Sequence, residues 1–269
     1  MKSLAHMYCV HICAYAIMSN HYHVVLCVDK AQALALSDEE VVERWSLNHK
    51  IPTIIKDWLQ LKVISNIDNS KCLSIIDKWR DRLWSLSWFM KELNYYIACK
   101  ANQEDKCKGH FWESRFKSQA LLNDTALLAA MAYVDLNPVR AGIASTPEES
   151  QFTSFKARVS HIKQNTMGKC HLKPFYNEAL NEASDCLPFS AFDYFQLVDW
   201  TAREFRVGKS SINNQAPPIL DRLKLKRKRW LYTCKYLERS RFTAIGSSDD
   251  VKHATTLLGK SKIHMYPMG

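Results

Sequence analysis

Two runs of β-favouring residues with a short polar break between them open the chain. The stretch from Tyr8 to Val28, YCVHICAYAIMSNHYHVVLCV, reads as a hairpin with Ser19-Asn20 as its turn. Ser37-Asp38-Glu39-Glu40 then has the Ser-x-x-Glu form of a capping box, with Val41, Val42 and Trp45 at helical spacing behind it, and predicts a helix from residue 38. The pattern weakens over 46–80, where Pro52 and Asn66-Ile67-Asp68-Asn69-Ser70 read as loops between short helices. Leu86, Phe89, Met90, Leu93 and Ile97 recur every three or four residues and predict an amphipathic helix over 83–102. His110 to Leu122 alternates as a strand does. Asn123-Asp124-Thr125 is an N-cap cluster for a helix over 126–136, which Asn137-Pro138 must end or kink.

After Gly142 the composition shifts. The expected organisation is a main domain over 1–145 with a helical insertion at about 31–85, a polar linker over 146–187, and a helical region over 188–269 with helices at Ala191–Glu204, Pro218–Leu237 and Asp249–Leu258. A chain of 269 residues can bury one good core and a second small one. Its 47% hydrophobic and 24% charged residues exclude a disordered chain. Thirty-seven Lys and Arg against 27 Asp and Glu give a net charge of +10, which favours a polyanionic partner. The nine cysteines are scattered and contain no Cys-x-x-Cys pair, so neither a disulfide framework nor a thiolate zinc site is indicated and a reducing cytoplasm is expected. The apolar run Cys13 to Met18 is too short to cross a bilayer, and neither a targeting segment nor a membrane partner is expected.

Within the hairpin, His21 and His23 flank Tyr22. Alternation along a strand puts both imidazoles on one face, where two of them can grip one divalent ion. Alone, such a pair is more commonly surface or structural histidine. Tyr133 and Asn137 lie four residues apart on the helix after the third strand, so phenol and carboxamide share a face. Ala126, Ala129 and Ala130 precede Tyr133 on that face and leave room for a ligand, while Leu127, Leu128, Met131 and Val134 form the stripe expected to pack on the sheet. Taken singly, Tyr133 also reads as a core-edge aromatic and Asn137 as a helix-ending residue before proline.

HYH within AYAIMSNHYHVVL, then GHFWESRFKSQALL, then AYVDLNPVRAGI resemble, in that order, the three signature stretches of the REP-associated tyrosine transposases, a group of single-tyrosine HUH transposases. The match runs from about Tyr8 to Ile143, interrupted by a longer than usual segment at 31–85, and APPIL and AIGS resemble the C-terminal extension of longer members. The resemblance implies an α+β, ferredoxin-like antiparallel sheet with helices on one face. It implies that His21 and His23 are the metal-binding pair, that Asn137 is the third ligand to Mg²⁺ or Mn²⁺, and that Tyr133 is the nucleophile. The reaction it implies cuts and rejoins single-stranded or hairpin DNA through a 5′-phosphotyrosine, and a homodimer is compatible with it.

Strand binding of that kind uses cations and stacking aromatics. Arg115 and Lys117, Arg140 just after the tyrosine helix, and the run Lys226, Arg227, Lys228 and Arg229 are the candidate phosphate contacts. Phe111, Trp112 and Phe116 share the first segment, with Trp112 and Phe116 expected in the core. Members of the group carry a strand and a helix ahead of the hairpin. This chain has neither before Tyr8, so either an upstream start is missed or the chain is a truncated descendant, and an exposed sheet edge and a loosened metal site are expected. Two other functions fit the residues: a non-catalytic DNA-binding remnant, or an HUH nicking enzyme not engaged in transposition. No Gly-x-x-x-x-Gly-Lys-Ser/Thr loop is present, which lowers the option of a replication initiator with fused helicase machinery.

Overall fold

A computed structural model of the chain describes residues 1–60, 65–166, 170–176, 186–205, 216–239, 242–247, 249–250, 254–256, 259 and 263–268. It is a mixed α+β structure, mostly helical. Among the described residues no helix is long and apolar enough to cross a membrane. The chain forms two compact units, one of residues 1–11 and 26–116, the other of residues 12–25 and 117–269. The division does not follow the boundaries expected at 145 and 188, because elements from both sides of those positions pair and pack together in the second unit.

The first unit holds α1 (Lys2–Met7), the outer ends of strands β1 (Val10–Ile17) and β2 (Tyr22–Val28), and helices α2 (Lys30–Ala35), α3 (Asp38–Ser46), α4 (Thr53–Leu59), α5 (Asn66–Leu83) and α6 (Leu86–Glu104). The capping box at Ser37 and Glu40 is formed. The polar stretch Asn66 to Ser70, expected as a loop, is instead the first turn of the 18-residue α5. Ser65 caps it by accepting from the Asp68 N–H at 3.1 Å, and Asn, Asp and Ser cost little in a first turn. Trp45 and Trp79 stack with centroids 5.6 Å apart and, with Val41, Ile76 and Leu83, fill the space where α2, α3 and α4 pack on α5. The strand expected over His110–Leu122 shrinks to β3 (Ala120–Leu121). Its aromatic half runs without a partner strand, and the Trp112 indole donates to the Asn94 carbonyl of α6 at 2.9 Å.

The second unit is built on the turn end of the hairpin and on α7 (Asp124–Asp135), followed by α8 (Asn137–Arg140), α9 (Ser154–Lys163), α10 (Ala191–Phe205), α11 (Pro218–Arg222), α12 (Arg227–Tyr236), β4 (Ala244–Gly246) and β5 (Met265–Pro267). The Met18 N–H donates to the His21 carbonyl at 2.9 Å, closing the turn around Ser19-Asn20 as expected. Strands β3, β4 and β5 form a parallel sheet in that order, with Ala120 opposite Ala244 and Ala244 opposite Met265. The region after 188 is therefore not purely helical. The expected helix Pro218–Leu237 is broken into α11 and α12, and the one expected at Asp249–Leu258 lies largely outside the described residues.

Helix α7 starts on Asn123, whose Oδ1 accepts from the Ala126 N–H at 2.9 Å, and ends at Asp135, just ahead of Pro138. From Leu128 to Asp135 every residue is buried, so its alanines do not face an open ligand space; α12, α10 and β3 pack around it. Short side chains permit that close approach, and a helix apolar all round belongs in a core. Asp135 anchors it. This fully buried carboxylate accepts from Ser154 Oγ at 2.5 Å, from the Phe155 N–H at 2.9 Å and from the Tyr194 hydroxyl.

The flank of β1 that does not face β2 is covered. The Ile17 N–H donates to Phe152 at 2.9 Å, the Tyr15 N–H to Ser154 Oγ at 3.0 Å, and the buried Arg158 guanidinium to the Cys13 carbonyl at 3.0 Å. A further bond runs from the Lys173 N–H to the Ile12 carbonyl at 2.8 Å. On this flank residues 152–158 and 172–173 satisfy the backbone groups of β1, so no free edge lies there.

Candidate active site

The site lies wholly within the second unit. Immediately after the turn, alternation puts the rings of His21 and His23 on one side, edge to face with centroids 5.0 Å apart. His21 is exposed and its Nδ1 pairs with Asn20 Oδ1 at 2.7 Å, which orients the ring. The His23 ring meets that of Tyr133 edge to face at 5.9 Å, so residues far apart in sequence converge on one spot. Asn137 opens α8 after Leu136, whose φ of −86° and ψ of −1° keep the turn near-helical, and Asn137 is itself buried.

Two buried polar atoms here have no hydrogen-bond partner, His23 Nε2 and Asn137 Nδ2. Unmatched buried groups cost about 1–3 kcal/mol each, and each calls for an explanation. Burial holds the His23 imidazole below its ordinary value, the Glu238 carboxylate opposing that shift. Among the described residues no group of three His, Cys, Asp or Glu stands where it could hold a metal ion. A divalent ion on the histidine pair would draw its third protein donor from the Asn137 amide, outside that set. The two adjacent imidazoles suit a divalent ion, and Asn137 would have to present its Oδ1 to it, since the unpartnered Nδ2 is an N–H₂ donor.

The structure adds a residue that sequence reasoning missed. Glu238, in the 3-10 turn Leu237–Arg239 that continues α12, accepts the Tyr133 hydroxyl at 2.8 Å, and the same oxygen lies 3.7 Å from His23 Nε2. Nothing in the local sequence marks it, since its place depends on α12 packing along α7. Arg140 also takes a different place from a solvated phosphate contact. Its guanidinium stacks 3.6 Å from the Tyr133 ring centroid and donates to the carbonyls of Tyr133 at 3.0 Å and Cys234 at 2.8 Å. Burial is the largest influence on the Tyr133 phenol; the Arg140 charge opposes it and Glu238 adds to it, and the net is a pKa pushed up to about 12.

The other expected contacts are not gathered here. Arg115 is exposed in the first unit, and Lys117 is exposed on the approach to β3. In the basic run, Arg227 pairs with Glu204 at 2.8 Å while Lys226 and Lys228 are exposed around the start of α12. Comparisons with family models, with curated proteins and with solved structures found no match to this chain, so its functional reading rests on its own residues.

Proposed function

We propose that the chain is a single-tyrosine strand transferase of the HUH kind, acting on single-stranded or hairpin DNA. The observation that carries this reading is the convergence of His21, His23 and Tyr133, with ring centroids 5.0 and 5.9 Å apart. Three ordered signature stretches support it, while the described strands form an antiparallel hairpin and a separate parallel sheet, not the single antiparallel sheet that the resemblance implies. His21, His23 and Asn137 would hold Mg²⁺ or Mn²⁺, which when bound polarises a phosphate and offsets its charge. All nine cysteines are free thiols, in keeping with work in the cytoplasm.

The residues divide the chemistry between them. Tyr133 Oη forms the bond to phosphorus, the P–O3′ bond breaks, and the 3′ oxygen leaves as a hydroxyl once protonated by water. Glu238 is the acceptor already in line for the phenol proton. Arg140, against the ring, favours the phenolate over the phenol. The phosphotyrosine keeps the energy of the phosphodiester, so a second 3′-hydroxyl can reverse the step and join strands.

The test is incubation of the purified chain with labelled hairpin DNA from its own genomic flanks and Mn²⁺, beside Tyr133→Phe and His21→Ala. A denaturant-resistant protein–DNA adduct, lost in both variants, is the expected result. Binding without any adduct in the folded wild-type chain would replace this reading with that of a non-catalytic DNA-binding protein.

A further inference from the structure

Beside α12 lies a groove of about 510 Å³ lined by Lys226, Lys228, Arg229, Tyr232, Tyr266 and Pro267. Its lining contains three cations and two tyrosines and no acid. In the same basic stretch Arg222 pairs with Asp193 and Arg227 with Glu204, each at 2.8 Å. Lys226, Lys228 and Arg229 have no carboxylate partner among the described residues. The imbalance belongs to the whole second unit, which has 22 Lys and Arg against 14 Asp and Glu, or +8 of the chain's +10.

The aromatic half of the groove is preformed. The Tyr266 hydroxyl is hydrogen-bonded to Thr233 Oγ1 at 3.0 Å, and its ring meets Phe242 edge to face at 5.6 Å. Tyr232 is braced by the Tyr236 ring at 4.8 Å, yet leaves 57% of its surface in solvent. Arg229 donates to the Pro267 carbonyl, which fixes its guanidinium beside the tyrosines. Braced rings lose little conformational freedom on binding, and an exposed, held tyrosine is a stacking platform.

We propose that this groove holds a single-stranded nucleic-acid segment, with phosphates on Lys226, Lys228 and Arg229 and a base stacked on Tyr232. An acid-free cationic lining selects a polyanion. Exposed aromatic faces select unpaired bases over a duplex, whose bases are already stacked. The inference deepens the strand-transfer reading and rests on it for the presence of a DNA strand. One helix serves both sites, because α12 borders the groove and its continuation carries Glu238 to Tyr133.

The test separates the two ideas by removing the chemistry. Full-length Tyr133→Phe protein without divalent metal is titrated into fluorescent oligo-dT and, in parallel, into a duplex of equal length. Adding Tyr232→Ala is expected to weaken oligo-dT binding roughly 5- to 150-fold, the equivalent of about 1–3 kcal/mol per stacked base, and to leave duplex binding unchanged. Tyr232→Phe keeps the affinity. Lys226→Ala with Lys228→Ala lowers the slope of log affinity against log salt by about 1.4, at roughly 0.7 per phosphate contact. Photocrosslinking of bromodeoxyuridine oligonucleotides to the same Tyr133→Phe protein should map to Tyr232 or Tyr266, whether or not a variant folds. Unchanged oligo-dT affinity in Tyr232→Ala, equal losses for duplex and single strand, crosslinks mapping elsewhere, or groove-dependent binding to anionic vesicles instead would each overturn the assignment.

Discussion

The Tyr133 hydroxyl and Glu238 Oε2 stand 2.8 Å apart, with the phenol as donor. A carboxylate there stabilises the protonated phenol both by accepting its hydrogen and by its charge. Glu238→Gln keeps an acceptor and removes the charge, so the Tyr133 pKa should fall from about 12 towards, but not to, its ordinary 10, because burial remains. Phenolate absorbance, taken as the difference between Glu238→Gln and Glu238→Gln/Tyr133→Phe, reads it directly. A value no lower than the wild type's would mean that the carboxylate does not face the phenol.

His23 gives stability a pH dependence of known sign. Burial holds its folded pKa below 6.5, so between that value and 6.5 the unfolded chain binds a proton that the folded chain refuses. The folded state is unaffected above 6.5 and loses stability as pH falls through the window beneath it. In urea denaturation, His23→Gln should show a smaller loss across that window than the wild type. Equal losses would show that the imidazole is not desolvated.

Asp135 lies two residues beyond Tyr133 but faces a different environment, where three donors converge on its carboxylate. Asp135→Ala strands the Ser154 and Tyr194 hydroxyls and the Phe155 amide in the interior. A loss of about 3–5 kcal/mol is expected. A shift in the denaturation midpoint with an unchanged denaturant slope measures it, and a loss under about 1 kcal/mol would contradict the network.

Gly246 ends β4 against α7's N-terminal loop. A Cβ there would lie 2.9 Å from Leu122 Cβ and 3.0 Å from Asp250 Oδ2, the oxygen that accepts from Asn123 Nδ2 at 2.6 Å. Leu122 Cβ is tied to its backbone and cannot swing away. Gly246→Ala should therefore cost about 1–3 kcal/mol, as overpacking does, and thermal unfolding checks it.

How much of this was legible depended on how local each signal is. The hairpin turn, the Ser37 capping box, the Asn123 cap and the shared face of His21 and His23 follow from neighbours in sequence, and each is found. The aromatic alternation from His110 to Phe116 misled, since a strand also needs a partner and Trp112 found the Asn94 carbonyl instead. Small residues on a helix face leave room for a ligand or admit a neighbouring helix, and the alanines of α7 do the second. Glu238 was invisible for the same reason. Its position is a property of how α12 lies on α7, which no short window of sequence encodes.

The covering of β1 has a consequence for assembly. A sheet margin with free amides and carbonyls is a template on which a second copy, or any extended peptide, can add itself as one more strand. On β1 the groups of Ile12, Cys13, Tyr15 and Ile17 are already committed to Lys173, Arg158, Ser154 and Phe152. An incoming strand would have to break those four bonds before it made any, so β-augmentation and edge-to-edge aggregation are closed to this hairpin on that side.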